Sequence, residues 1–182
     1  MSPSTFSLIY VLVGYFGMFA VWLICALREK KGANLISYRS TAIIQSSLNS
    51  LHILTGLFMP LTIGPDIIYR SFGLTIFTVG LFTAIWARIS MGKSWDTPGT
   101  ILNSSDHKLV TTGPFAYSRN PIYVGIILIS LGIAISLKSM TFILVIFLYL
   151  HLYVKTREEE EKLQKKFGDV YTKYQIEVPR FI

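Results

Sequence analysis

The chain has 182 residues, 52% of them hydrophobic and 15% charged, with a mean hydropathy of +0.52. Soluble domains carry about 25% charged residues, so this chain has too little polar surface to cover itself in water and reads as a polytopic membrane protein of one domain. The balance of 17 Lys and Arg against 10 Asp and Glu gives +7, and the single cysteine, Cys25, excludes an internal disulfide framework and any multi-cysteine metal site.

Five spans are predicted in chain order. A crossing of about 30 Å takes about 20 apolar residues, and residues 5–27 supply 23 without a charge. No basic residue precedes them and Arg28, Lys30 and Lys31 follow, the pattern of a retained membrane helix rather than a cleaved signal. Residues 42–63 are uncharged but carry Gln45, Ser46, Ser47, Asn49, Ser50 and His52, which must face other helices rather than lipid. Residues 71–87 contain Gly80 and Ala84, a small-xxx-small pair that lets another backbone come close. Residues 122–137 and 140–154 are each short for a crossing and are separated by Lys138, so they read as a helical hairpin extended by its neighbours.

Charge placement sets the direction. With the N-terminus outside, the cytoplasmic segments hold Arg28, Lys30, Lys31 and Arg39, then Arg88, Lys93, Lys108 and Arg119, then Lys155, Arg157, Lys162, Lys165, Lys166, Lys173 and Arg180. That is 15 of the 17 basic residues, leaving Arg70 and Lys138 outside, as the positive-inside rule requires. The C-terminus is then cytoplasmic. A basic face beside anionic headgroups accounts for the +7 without nucleic acid.

Polar residues gather in a loop, 88–121, and a tail, 155–182, both cytoplasmic in this topology. The loop is long for a connection without function and carries Trp95, Asp96, Asp106, His107 and Thr111-Thr112-Gly113-Pro114-Phe115. It ends in Ser118-Arg119-Asn120-Pro121-Ile122-Tyr123-Val124-Gly125, a helix start in which Asn120 can cap and Pro121 suits the first turn. Such an N-terminus beside Arg119 suits an anion. In the tail, Glu158-Glu159-Glu160-Glu161 would repel one another unless they form the first turn of a new helix, and beside the basic loop they suit a cationic ligand group. Leu163, Phe167, Tyr171 and Tyr174 make one apolar stripe of an interfacial helix, with Gly168 as a break or a place of close approach. His52, His107 and His151 have no metal-ligand spacing, so no metal is expected, and hydrolase, kinase and soluble dinucleotide motifs are lacking. The fold class is all-α, a single membrane domain over 1–182, with N-terminal spans in 1–87 and a motif-bearing part in 88–182.

Taken together, residues 107–115, Arg119 through Gly125, Glu159-Glu160, Leu163, Phe167-Gly168, Tyr171, Tyr174 and Val178-Pro179-Arg180-Phe181-Ile182 resemble the isoprenylcysteine carboxyl methyltransferase family, itself similar to the membrane phospholipid methyltransferases. The resemblance covers about residues 87–182. It implies S-adenosylmethionine as cofactor, bound between loop and tail, with contacts from His107, Lys108, Leu109, Val110, Phe115, Asn120, Pro121, Ile122, Tyr123 and Glu159. Apolar and aromatic groups would enclose the adenine, the start at Pro121 would meet the methionine carboxylate, Glu159 would hold the ammonium or a ribose hydroxyl, and Tyr123 would face the sulfonium.

Two departures from the family pattern stand out. Asn120 occupies the place of the usual histidine of Arg-His-Pro and cannot titrate near neutral pH. Lys155 occupies the place of a substrate-contacting arginine and lacks its bidentate fork. The implied function is methyl transfer to a small lipophilic acceptor, isoprenylcysteine carboxylate-like or lipid, with Lys155 at its polar end and no assigned general base. An NADPH-dependent membrane reductase of the steroid-reductase type and a non-catalytic membrane protein are the alternatives. The location expected is the cell membrane of a prokaryote or the endoplasmic reticulum of a eukaryote.

Overall fold

The computed structural model describes residues 3–28, 39–62, 64–94 and 108–181. The described residues form six α-helices joined by short 3₁₀ turns: α1 Pro3–Arg28, α2 Arg39–Phe58, α3 Asp66–Met91, α4 Pro121–Ser136, α5 Val145–Phe167 and α6 Asp169–Glu177. Of the expected site residues, His107 lies outside the described residues, as do Trp95, Asp96 and Asp106.

Two helices, α1 and α3, are long and apolar enough to cross a membrane by themselves. Their outward faces carry Phe16 and Leu27 on α1 and Phe82 on α3, each more than 60% exposed, and contiguous apolar surface of this kind belongs against lipid. Helix α4 is apolar throughout but has 16 residues, about 24 Å at 1.5 Å per residue. Helix α5 starts at Val145, after a 3₁₀ turn at Phe142–Leu144, and runs 23 residues to Phe167. It therefore carries the chain from the apolar layer straight into the charged tail, so the four glutamates sit in mid-helix. They are not the first turn of a new helix: Arg157, Lys162, Lys165 and Lys166 flank them at helical spacing and offset the repulsion. The break comes later, at Gly168, whose φ of 52° ends α5 and admits α6.

The centre of the bundle is the antiparallel pair α3 and α4. A Cβ added at Gly80 would lie 2.7 Å from the Ile129 backbone nitrogen, and one at Gly125 would lie 2.8 Å from that of Ala84. Gly132 stands against the Phe77 backbone and Gly73 against that of Ser136. The small pair Gly80 and Ala84 thus does what its spacing foretells, and α4's intimate partner is α3 rather than its hairpin neighbour α5. Phe77, Ile129, Ile133 and Leu137 fill the core of this pair, with Val11 and Met18 of α1 laid against it. Replacing Gly80 by Leu pushes a side chain into backbone that cannot move aside, where overpacking typically costs about 1–3 kcal/mol. Gly80→Leu is expected to melt at clearly lower temperature in detergent, while Gly17→Leu, where a Cβ meets nothing within 4 Å, keeps the parental Tm.

Of the polar residues of α2, Gln45, Asn49 and His52 turn inward as expected, whereas Ser46, Ser47 and Ser50 fall off that face and are exposed. Asn49 accepts a hydrogen bond from the Ser130 hydroxyl of α4 at 2.8 Å, and His52 Nδ1 lies 2.8 Å from Thr141 Oγ1 in the connection to α5. At the end of the bundle where α3 begins and α4 ends, Asp66 joins the two cations that the charge pattern places outside. Lys138 Nζ reaches one carboxylate oxygen at 2.7 Å and Arg70 Nη2 the other at 3.3 Å.

Candidate active site

At the opposite end, α4 begins where the loop returns. Asn120 precedes the helix at φ −130°, ψ 53°, and Pro121 occupies the first turn. The helix start is as expected, but the Asn120 side chain makes no capping hydrogen bond. Its amide donates instead to Glu160 Oε1 at 3.2 Å and to the Arg180 carbonyl at 3.1 Å. The first-turn N–H groups of Tyr123 and Val124 both donate to the Asn120 carbonyl at 3.1 Å, and Pro121 has none. The capacity of this turn for an anion narrows to the Ile122 N–H and the helix dipole.

Helical rotation of about 100° per residue gives the four glutamates four different surroundings. Glu158 is exposed and accepts from Lys155 Nζ at 2.9 Å, and that hydrogen bond holds its carboxyl below the usual range. Glu159 turns toward α4 and accepts from the Tyr123 hydroxyl at 2.7 Å. Burial pushes its carboxyl up to about 7, against the opposing pull of that hydrogen bond. Glu160 is 4% exposed and is the anchor of the tail. Arg180 Nε lies 3.1 Å from each of its oxygens and Nη2 2.8 Å from Oε2, while Arg119 Nη2 stands 3.5 Å from Oε1. Glu161 is exposed. Only Glu159 and Glu160 of the acidic run are therefore turned into the protein.

The Glu160 cluster ties the last described residues to the loop. The Arg119 N–H donates to the Pro179 carbonyl at 2.9 Å and the Ser118 hydroxyl to the Arg180 carbonyl at 3.2 Å. The Arg180 guanidinium lies 5.0 Å from the centre of the Tyr153 ring on α5. The tyrosine stripe is used inside the protein: Tyr171, Tyr174 and Val178 form a buried cluster with Leu109, Leu163 and Phe167. The Tyr174 hydroxyl donates to the Phe115 carbonyl at 2.7 Å, and burial moves that phenol up to about 12, so it remains a donor at any physiological pH.

Of the expected cofactor contacts, the structure brings Tyr123, and with it the turn Asn120-Pro121-Ile122, to Glu159, while Phe115 is buried and tied by its carbonyl to Tyr174. Lys108 is exposed, its N–H bonded to the Ser94 hydroxyl at 3.2 Å, and Val110 is partly buried. Leu109 is engaged by the tyrosine cluster. Lys155 is half-buried and tied to Glu158 on its own helix. Sequence reasoning missed the Glu160–Arg180 pair with Arg119 and Ser118, whose only signal was their presence in the quoted motifs. Across the apolar layer from this site, Ile127, Leu131, Phe142, Ile143, Ile146 and Tyr149 line an apolar groove of about 280 Å³. Tyr149 stacks toward Tyr153 and Phe181, with ring centres 6.3 and 5.7 Å away, which joins the groove to the Arg180 end of the site.

A model of the phospholipid methyltransferases matches residues 68–170, more than half of the chain, with Asn120, Tyr123, Glu159 and Glu160 inside the match. The chain belongs to that family. Among curated proteins, the protein-S-isoprenylcysteine O-methyltransferase of Schizosaccharomyces pombe is 32% identical over 114 residues, covering 62% of this chain and 48% of the relative. The chain thus spans about half the length of the curated relative it matches. Among solved structures, the eukaryotic intramembrane Ras methyltransferase ICMT (isoprenylcysteine carboxyl methyltransferase) superposes with a TM-score of 0.69 at 20% identity, over 98% of this chain and 66% of the other. The fold is that of an integral membrane methyltransferase, all helical among the described residues.

Proposed function

We propose that this phospholipid methyltransferase family member transfers a methyl group from S-adenosylmethionine to a small lipophilic acceptor inside the membrane. The observation that carries the proposal is the meeting of Tyr123 and Glu159 at 2.7 Å, at the junction of α4 and α5 within the matched region. The residues fit the cofactor. Glu159 is a partly buried carboxylate whose charge is left uncompensated by any cation at salt-bridge distance among the described residues, so a ligand ammonium or hydroxyl suits it. Tyr123 presents a ring beside it, and Phe115 and Ile122 supply apolar walls.

S-adenosylmethionine brings an electrophilic methyl on a sulfonium. The chain's own residues have to bind, orient and exclude water. In-line positioning alone lowers such barriers by several kcal/mol. Glu159 and Tyr123 would hold the donor so that its methyl could pass to the acceptor while the sulfur keeps the bonding electron pair. An acceptor carboxylate needs no general base, whereas an amine or hydroxyl must lose a proton.

The 280 Å³ apolar groove supports an acceptor with an apolar chain that lies among the helices, its polar end rising past Tyr149 and Tyr153. Lys155, once parted from Glu158, is our candidate contact for that end. Five spans with the N-terminus outside complete the reading, supported by the separation of the Asp66–Lys138 end from the Glu160–Arg180 end. Incubation of detergent-solubilised protein with radiolabelled S-adenosylmethionine and membrane lipid extract is expected to put label in the lipid fraction, and Lys155→Ala to lower the yield several-fold. Label found only in water-soluble acceptors sinks the acceptor assignment. Binding of NADPH in place of S-adenosylhomocysteine sinks the cofactor assignment. A tag at Ile182 is expected to be unreachable from outside intact cells.

A further inference from the structure

Helix α2 carries a buried stripe that the methyl-transfer site does not use. Thr41, Gln45, Asn49, His52 and Thr55 follow one another at intervals of four, four, three and three residues, so they share one face. Its two ends are tied to neighbouring elements. Thr41 Oγ1 lies 3.4 Å from His151 Nε2 on α5, and Thr55 Oγ1 lies 2.6 Å from Ser139 Oγ beyond α4. Between these ties, Gln45, Asn49 and His52 are 7%, 3% and 0% exposed. Each keeps one side-chain nitrogen without a protein partner: Gln45 Nε2, Asn49 Nδ2 and His52 Nε2.

Thr55 donates to the Leu51 carbonyl at 2.8 Å, and His52 Nδ1 shares a 2.8 Å hydrogen bond with the Thr141 hydroxyl in which either atom can donate. The Gln45 and Asn49 amide nitrogens are donors in either case, and they stand about one helical turn apart on the face that also carries His52 Nε2. A buried donor without an acceptor costs about 1–3 kcal/mol, and native bundles rarely leave such groups unanswered. No Asp, Glu, Lys or Arg lies in residues 41–58, in α4, or in α5 before Lys155, so an anion there would be an uncompensated buried charge.

We infer that the seam of α2 with α4 and α5 is a binding site for neutral hydrogen-bond-accepting oxygen, supplied either by the ester carbonyls of a membrane lipid or by a file of water molecules. The site is independent of the methyl donor. Leu48, on the same helix, packs against the Tyr123, Leu148 and Leu152 cluster, so the occupant lies on the membrane side of Tyr123 without touching Glu159.

Full-length protein in nanodiscs is compared in diacyl and in dialkyl-ether phosphatidylcholine, the second lacking ester carbonyls. Lipid retained on release is counted by native mass spectrometry, and X-ray radiolytic labelling reads water beside His52. Preferential retention of the diacyl lipid, lost at least tenfold in Asn49→Leu and Gln45→Met, establishes the lipid carbonyl as the source. Equal retention of both lipids with strong labelling at the fully buried His52 establishes water. Equal retention without labelling at His52 overturns the inference. The lipid comparison and the labelling are both read on the parent chain, so a variant that fails to fold does not obscure the answer. S-adenosylhomocysteine binding, measured alongside, is expected to be unchanged in Asn49→Leu.

Discussion

Arg180→Ala is expected to unfasten the tail from Glu160 and from the loop end at Ser118, Arg119 and Asn120. Removing one partner of a buried ion pair costs about 3–5 kcal/mol because the other charge is left unanswered. Glu160 is the buried member, whereas the Arg180 side chain is 27% exposed, so about 3 kcal/mol is the better expectation. Arg119 at 3.5 Å and Asn120 at 3.2 Å hold Glu160 only in part. Glu160→Gln keeps the shape and removes the charge, and the double variant Glu160→Gln/Arg180→Ala is expected to lose less than the sum of the singles. Thermal melting and limited proteolysis of residues 168–181 read the outcome. A parental Tm for Arg180→Ala would refute the role assigned to this pair. Because Asn120 donates to both Glu160 and the Arg180 carbonyl, the same variant is expected to weaken S-adenosylhomocysteine binding without any contact between Arg180 and that ligand.

Glu159→Gln is expected to weaken binding of S-adenosylmethionine and S-adenosylhomocysteine by one to two decades, the about 1.5–3 kcal/mol of a hydrogen bond to a charged group. Glu158→Gln, which loses only an exposed contact to Lys155, is expected to bind as the parent does. The pH dependence has a definite sign. The free protein holds the Glu159 carboxyl near 7, above its ordinary value of 4.5, so the folded state binds more protons than the unfolded chain between those values. The stability of the ligand-free protein therefore falls as pH rises from about 4.5 to 7. A cationic ligand requires the carboxylate, so affinity is expected to rise with pH up to about 7 and level off above it, with a proton released to the buffer on binding below that pH. Calorimetry in buffers of different ionisation enthalpy reads that proton directly. A flat pH profile in the parent would separate Glu159 from the ligand's cation.

The parts of the fold that sequence foretells are those set by neighbours along the chain. An uncharged run of 23 residues, a proline in the first turn, Gly80 four residues before Ala84, and a glycine inside an apolar stripe each impose a local condition, and the structure meets them at α1, α4, the α3–α4 contact and Gly168. The inward placement of Gln45, Asn49 and His52 was legible for a related reason, since the bilayer offers such groups no alternative partner, but Ser46, Ser47 and Ser50 lie off that face and are exposed. What escaped was decided between distant segments. Nothing near Asn120 reveals that its amide is drawn away from capping by a glutamate 40 residues on, or that Arg180 closes on that glutamate after the chain has turned at Gly168. The acidic run misled because like charges suggest a helix end, while the flanking lysines and arginines at helical spacing allow α5 to run straight through.

The four consecutive glutamates of α5 are chemically identical yet perform different tasks, which makes the run blind to its own position. Were α5 rotated by one residue, a glutamate would still face Tyr123 and another would still face Arg180. The register is therefore kept by residues upstream, Leu148, Leu152 and Thr156, buried to within 1%, which fit only one rotation, and by Tyr153, which must lie beneath Arg180. One extra residue placed before Leu148 would turn this core outward, whereas one placed after Glu161 would leave every glutamate in place and displace the whole of α6. The two insertions carry the same composition and opposite consequences, since in the second the Tyr123–Glu159 contact survives and only the tail's hold on Glu160 is lost.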